Sequence, residues 1–118
     1  MNGFEGLRVL VVEDEPVVAM YLEDLLDALG CVIIGPASRL ADGLELAEQG
    51  LFDVAILDIN LGGERSTPIA EALRARGLPF AFASGYGVPP EGFGAEVPMI
   101  EKPYREAQVA GALGRLLA

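Results

Sequence analysis

Val54-Ala55-Ile56-Leu57-Asp58 is a run of four apolar residues closed by a carboxylate, with Phe52-Asp53 before it and Asn60-Leu61-Gly62-Gly63 after it. A short apolar run bounded by turn residues reads as a strand buried on both faces of a sheet. In an open parallel sheet the chemistry collects just beyond the carboxyl ends of the strands. Asp58 is expected at such an end.

Working outward, the flanking segments supply the other layers of an α/β fold. Upstream, Leu7-Arg8-Val9-Leu10-Val11-Val12 reads as a first strand running into Glu13-Asp14-Glu15-Pro16. Proline suits a first helical turn, and acids just before it suit the positive end of the helix dipole. Val18, Leu22, Leu25 and Leu29 recur at helical spacing, so a helix is expected over about 16–29, with Gly30 as its stop. Cys31-Val32-Ile33-Ile34 reads as a second strand closed by Gly35-Pro36, and Ser38 as the cap of a second helix carrying Leu40, Leu44 and Ala47.

Downstream of Asp58, Asn60 to Arg65 reads as a loop, Thr67-Pro68 as N-cap and first residue of a third helix, and Gly77 as its end. Pro79-Phe80-Ala81-Phe82-Ala83-Ser84 is a fourth strand ending in a hydroxyl. Val97 to Glu101 is a short fifth strand ending at Lys102-Pro103, and Val109, Leu113, Leu116 and Leu117 support a closing helix. Strands alternating with helices indicate a parallel sheet.

Composition narrows the function. The 118 residues make one domain with a real core. No apolar run approaches the ~18 residues of a membrane span. Met1 to Glu5 lacks a signal-peptide layout, so a cytoplasmic protein is expected. The net charge of −10 argues against nucleic acid and against an anionic membrane surface. The lone Cys31 excludes an internal disulfide and reads as a small core residue. With no histidine, the chain has no Ser-His or Cys-His pair and no phosphohistidine of its own.

The ends of four expected strands carry Glu13-Asp14, Asp58, Ser84 and Lys102. Each has an ordinary reading: helix-dipole acids, a loop carboxylate, a turn cap and a solvated lysine. Brought to one sheet edge, three carboxylates repel unless a cation neutralises them, and hard oxygen ligands suit Mg²⁺. A lysine and a hydroxyl beside them supply what a phosphoryl group needs. Together they describe a carboxylate that accepts a phosphoryl group.

In order and position, Val9 to Pro16, Ile56-Leu57-Asp58, Phe82-Ala83-Ser84-Gly85 and Lys102-Pro103 resemble the receiver domain of two-component response regulators. The resemblance covers essentially the whole chain. It implies a flavodoxin-like, doubly wound five-stranded parallel sheet of order 2-1-3-4-5, as a single receiver domain over 1–118 with no output domain. It also implies that Asp58 is the phosphoacceptor and that Asp14, Asp58 and the backbone carbonyl of Asn60 bind Mg²⁺, with Glu13 holding a metal-bound water. Ser84 and Lys102 would bind phosphoryl oxygens, Gly85 would leave the site open, and Lys102-Pro103 would be cis. The donor would be a sensor histidine kinase or a histidine phosphotransfer protein, with an unnamed downstream protein and no small-molecule substrate beyond phosphodonors.

The chain departs from the usual pattern in three places. Ile59 to Glu64 lacks the family's proline and is rich in glycine, so a mobile loop is expected. Between Gly85 and Val97, prolines and glycines predict that the fourth helix is missing or reduced to a turn. Met99 stands where the switch aromatic is usual, leaving Tyr86, Phe93 or Tyr104 as substitutes. The run Phe82 to Tyr86 resembles a Phe-Ala-Thr-Gly subgroup of stand-alone alphaproteobacterial receivers, which implies stress signalling with particular sensor kinases. Two other readings are an unphosphorylated, receiver-like protein-binding module and an aspartate-nucleophile phosphohydrolase. The second is disfavoured by the nucleophile's third-strand position and the lack of a cap.

Overall fold

A computed structural model describes residues 3–85 and 87–118. Tyr86, a candidate access and switch residue, lies outside the described residues. The elements are β1 (Arg8–Val12), α1 (Pro16–Ala28), β2 (Val32–Ala37), α2 (Leu40–Gln49), β3 (Val54–Asp58), β4 (Asn60–Leu61), β5 (Glu64–Arg65), α3 (Thr67–Arg76), β6 (Phe80–Ser84), β7 (Met99–Glu101) and α4 (Glu106–Leu117). The main sheet runs β2-β1-β3-β6-β7 and every neighbouring pair is parallel. Leaving out the small β4–β5 hairpin, this is the expected 2-1-3-4-5 order.

Alternation along the buried strands builds two cores. Leu10, Val12, Ala55, Leu57, Phe80 and Phe82 face α2 and α3, while Val9, Val11, Val54, Ile56, Ala81 and Ala83 face α1 and α4. Every residue of β3 and β6 is buried, which is why their sequences run apolar without a polar face. Gly43 lets α2 and α3 approach: a Cβ there would lie 2.6 Å from Ile69 Cδ1.

Several local expectations are corrected. β2 runs through Gly35-Pro36 instead of stopping there, because it is an edge strand and the proline's missing N–H is not needed. Its register to β1 shifts between Leu10 and Val12. Ser38 does not cap α2; Arg39 holds the N-cap position in an extended conformation with no side-chain cap. At α3, Ser66 takes the N-cap position, so Thr67 and Pro68 are the first two helical residues, where proline still costs nothing. The segment after Asp58 is no open loop. Asn60 pairs with Arg65 and Leu61 with Glu64 in an antiparallel hairpin, turned by Gly62 and Gly63 at φ 59° and 96°.

No helix lies between Ser84 and Met99 among the described residues. Two turns replace it, closed by hydrogen bonds from Phe93 N to Pro90 O (3.1 Å) and from Val97 N to Gly94 O (3.2 Å). Buried Pro90, Phe93 and Val97 root the segment. The Phe93 ring meets Phe80 and Phe82 edge-on, at centroid distances of 5.9 and 5.2 Å, and the Arg74 guanidinium lies 4.1 Å from the centroid of the Phe93 ring. From the flanking helices, Arg74 and Arg115 donate to the carbonyls of Gly92 and Ala95.

Phe93→Ala is expected to lower unfolding free energy by about 3 kcal/mol, as for other buried phenylalanines, whereas Val88→Ala, at an exposed site in the same segment, should change it by less than about 0.5 kcal/mol. Urea titration followed by circular dichroism measures both. Equal effects would mean that the Phe93 anchor is absent in solution.

Candidate functional site

Strand register assembles the site. Val12 pairs with Leu57, so Glu13 and Asp58 follow side by side at the carboxyl edge. Asp58 pairs with Ala83, and Ser84 with Glu101, so Ser84 and Lys102 come to the same edge. The Lys102 amide donates to the Ser84 carbonyl at 3.1 Å. The Lys102-Pro103 peptide bond is cis.

At the centre, Lys102 Nζ lies 2.8 Å from Glu13 Oε1 and 2.9 Å from Asp58 Oδ2. The other Asp58 oxygen, Oδ1, accepts the Asn60 N–H at 3.2 Å. The Glu15 N–H donates to Glu13 Oε2 at 3.3 Å, and the Tyr104 hydroxyl donates to Glu13 Oε1 at 3.4 Å. Glu13 is 1% and Asp58 6% exposed. Asp14, Asp58, Asn60, Ser84, Gly85 and Lys102 all line an open cleft of about 640 Å³. Glu13 lies beneath its floor, among the residues that hold Lys102.

One ammonium faces three carboxylates, so the cluster is under-neutralised. Ligand oxygens of Glu13, Asp14 and Asp58 lie within 4.8 Å of one another. Burial first, and then the hydrogen bond and charge of Asp58, push the Glu13 carboxyl up to about 7 despite Lys102. Burial opposes the Lys102 charge, but its hydrogen bonds to Glu13 and Asp58 outweigh that and raise its pKa. The Tyr104 hydroxyl is raised by burial and by the same two acids. All-oxygen donors, excess negative charge and an open cleft fit a Mg²⁺ site.

Residues 9–95 match the family described as response regulator receiver domain. The chain belongs to that family. Among solved structures, it is similar to SdrG from Sphingomonas melonis Fr1, with 45% identity and a TM-score of 0.84 over 96% of this chain and 98% of that one. A structure of the BeF3-activated conformation of SdrG from Pseudomonas melonis Fr1 superposes with a TM-score of 0.75 at 44% identity, over 94% of this chain and 96% of that one. The phyllosphere-induced regulator PhyR of Methylorubrum extorquens is 32% identical over 93% of this chain, which spans only 43% of that protein's length. Receiver domains are signalling regulators that work with kinases or phosphotransfer proteins and bind Mg²⁺ in an acidic pocket. No helix among the described residues is long and apolar enough to cross a membrane.

Two features of this receiver domain escaped the sequence reading. Tyr104 is not only a spare aromatic; buried at 2% exposure, it holds Glu13 through its hydroxyl. Arg65 also lines the cleft, because the segment carrying it is a hairpin rather than a loop. The signal for Arg65 was its place as the one cation between Asp58 and α3.

The raised Glu13 value has a definite sign. The folded chain keeps a proton that the unfolded chain releases between about 4.5 and about 7, so this group's contribution to stability falls as pH rises through that window. Thermal unfolding of the metal-free protein should show that fall, Glu13→Gln should flatten it, and saturating Mg²⁺ should offset it. A profile identical in Glu13→Gln and wild type would remove Glu13 as its source.

Proposed function

We propose that this receiver domain is a phosphorylation switch with Asp58 as its phosphoacceptor. The supporting observation is the pose of that carboxylate. It stands at the end of a fully buried strand, with Oδ2 on Lys102 and Oδ1 on the Asn60 amide, and lines an open cleft. Both oxygens are oriented by these hydrogen bonds before any donor arrives.

In the proposed reaction a carboxylate oxygen of Asp58 attacks phosphorus. The bond from phosphorus to a donor's histidine nitrogen breaks, the electron pair stays on that nitrogen, and the ring takes one proton from solvent to leave as neutral imidazole. Asp14, Asp58 and the backbone carbonyl of Asn60 would hold Mg²⁺, with Glu13 acting through a water; the bound cation offsets the charge that collects on the phosphoryl oxygens. Lys102 exchanges its Asp58 contact for a phosphoryl oxygen while keeping Glu13 as its anchor. Ser84 supplies a hydroxyl donor, and Gly85, with no side chain, leaves the approach free. BeF3 is a tetrahedral mimic of a carboxylate-bound phosphoryl group, so the BeF3-activated conformation of SdrG supports this reading.

The signal would pass along β6. Ser84 sits at the cleft, and Phe82, two residues earlier, packs against Phe93 in the segment that replaces a helix. A shift of Ser84 toward the phosphoryl group would pull on both ends of that segment's seat. The donor would be a sensor histidine kinase or a histidine phosphotransfer protein in the cytoplasm, and a downstream protein would read residues 85–98.

Incubation with Mg²⁺ and a small phosphodonor should add the mass of one phosphoryl group to the intact protein. Asp58→Asn should abolish the adduct, and Lys102→Ala should lower the phosphorylation rate by roughly tenfold or more, on the scale of one charge-assisted contact. An adduct that persists in Asp58→Asn would move the acceptor elsewhere.

A further inference from the structure

The cleft holds a cation for which the phosphoryl chemistry above has no use. Asp14, Glu15, Asp58 and Glu91 make its lining acidic, and the chain as a whole carries a charge of −10. An anionic phosphodonor must enter against that field. Lys102 cannot draw it in from outside, since it is already held by Glu13 and Asp58 at 2.8 and 2.9 Å. Arg65 is the other cation on the lining. Its side chain is exposed and makes no ion pair or hydrogen bond among the described residues.

The backbone position of Arg65 is set by the hairpin. It pairs across the hairpin with Asn60, whose amide is bonded to Asp58. Buried Ile59 and Leu61 root one strand of that hairpin, and the hydrogen bond from Ser66 N to Ile59 O (2.9 Å) closes its base. Arg65 thus lines the cleft from a backbone tied to Asp58. A solvated surface arginine would need none of this.

We infer that Arg65 is an anion-recognition residue that captures the phosphoryl group of the incoming donor at the lip of the cleft. The ligand class is a phosphoramidate, such as phosphohistidine, or an acyl phosphate. A guanidinium fork matches two oxygens of such a group. Arg65 is a binding residue: it sets how tightly the donor is held and leaves the bond-breaking step to the groups around Asp58. This inference rests on the phosphoacceptor reading for its purpose, while its binding measurement does not.

Phosphoramidate is the probe. The first measurement is an amide NMR titration with Mg²⁺ present, in an Asp58→Asn background that cannot be phosphorylated there. Saturable shifts are expected in residues 60–65, with the dissociation constant raised roughly tenfold by Arg65→Gln, the scale of one charge-assisted hydrogen bond. Arg65→Lys should restore part of the affinity by keeping charge without the fork. The second measurement is the rate of phosphorylation of chains that retain Asp58. Arg65→Gln should raise KM by a similar factor and leave the maximal rate within about twofold, a split that simple loss of structure does not give. Unchanged affinity and unchanged KM in Arg65→Gln would overturn the inference. Arg65-dependent binding in a chain whose Asp58 is never phosphorylated would uphold the anion site and overturn the phosphoacceptor reading alone.

Discussion

The ammonium of Lys102, seated between Glu13 and Asp58, is the contact on which the rest of the site depends. Two carboxylates at the ends of neighbouring strands cannot both be ionised and almost buried unless a cation stands between them. Lysine reaches that place only because β7 is two strands from β3 and its peptide runs on past Glu101 into the cleft. The arrangement is incomplete by design of charge. With Asp14 added, the acids outnumber the ammonium, which leaves the cleft with an appetite for further positive charge.

That imbalance orders the neighbouring parts. Tyr104 and the Glu15 amide supply Glu13 with neutral donors, so it stays fixed without claiming more of Lys102. Asn60 does the same for Asp58. The hairpin that holds Asn60 therefore belongs to the site as much as the strands do. Its two glycines serve the tight reversal.

The fold was legible wherever burial on both faces left its mark. The apolar runs at Val9–Val12, Val54–Leu57 and Phe80–Ala83 read as strands, and the polar residues after them fell at one edge. Register did the rest, and no single residue announces register. That no helix lies between Ser84 and Met99 among the described residues was also legible, because Pro89-Pro90, Gly92 and Gly94 disfavour one locally. Less could be read where tertiary contacts decide between local options. Ser66 rather than Thr67 precedes α3 because its amide and carbonyl are both committed, to Ile59 and to the first turn. Asn60 to Arg65 read as a loop because a two-residue strand has no periodicity to detect. The pairing of Phe93 with Phe80 and Phe82 spans a gap that no spacing rule covers.

Replacing a helix by two turns changes how this part of the molecule comes apart. A helix on a sheet opens only when its own ladder and its whole apolar face are given up together. Among the described residues, 87–98 have no helical ladder and are rooted by Pro90, Phe93 and Val97, with arginine tethers from α3 and α4. Such a segment can detach as a small cooperative unit while the sheet remains intact, at a cost well below that of global unfolding. Its amides would exchange with solvent through that partial opening, and a partner could select the opened form without the rest of the domain having to yield.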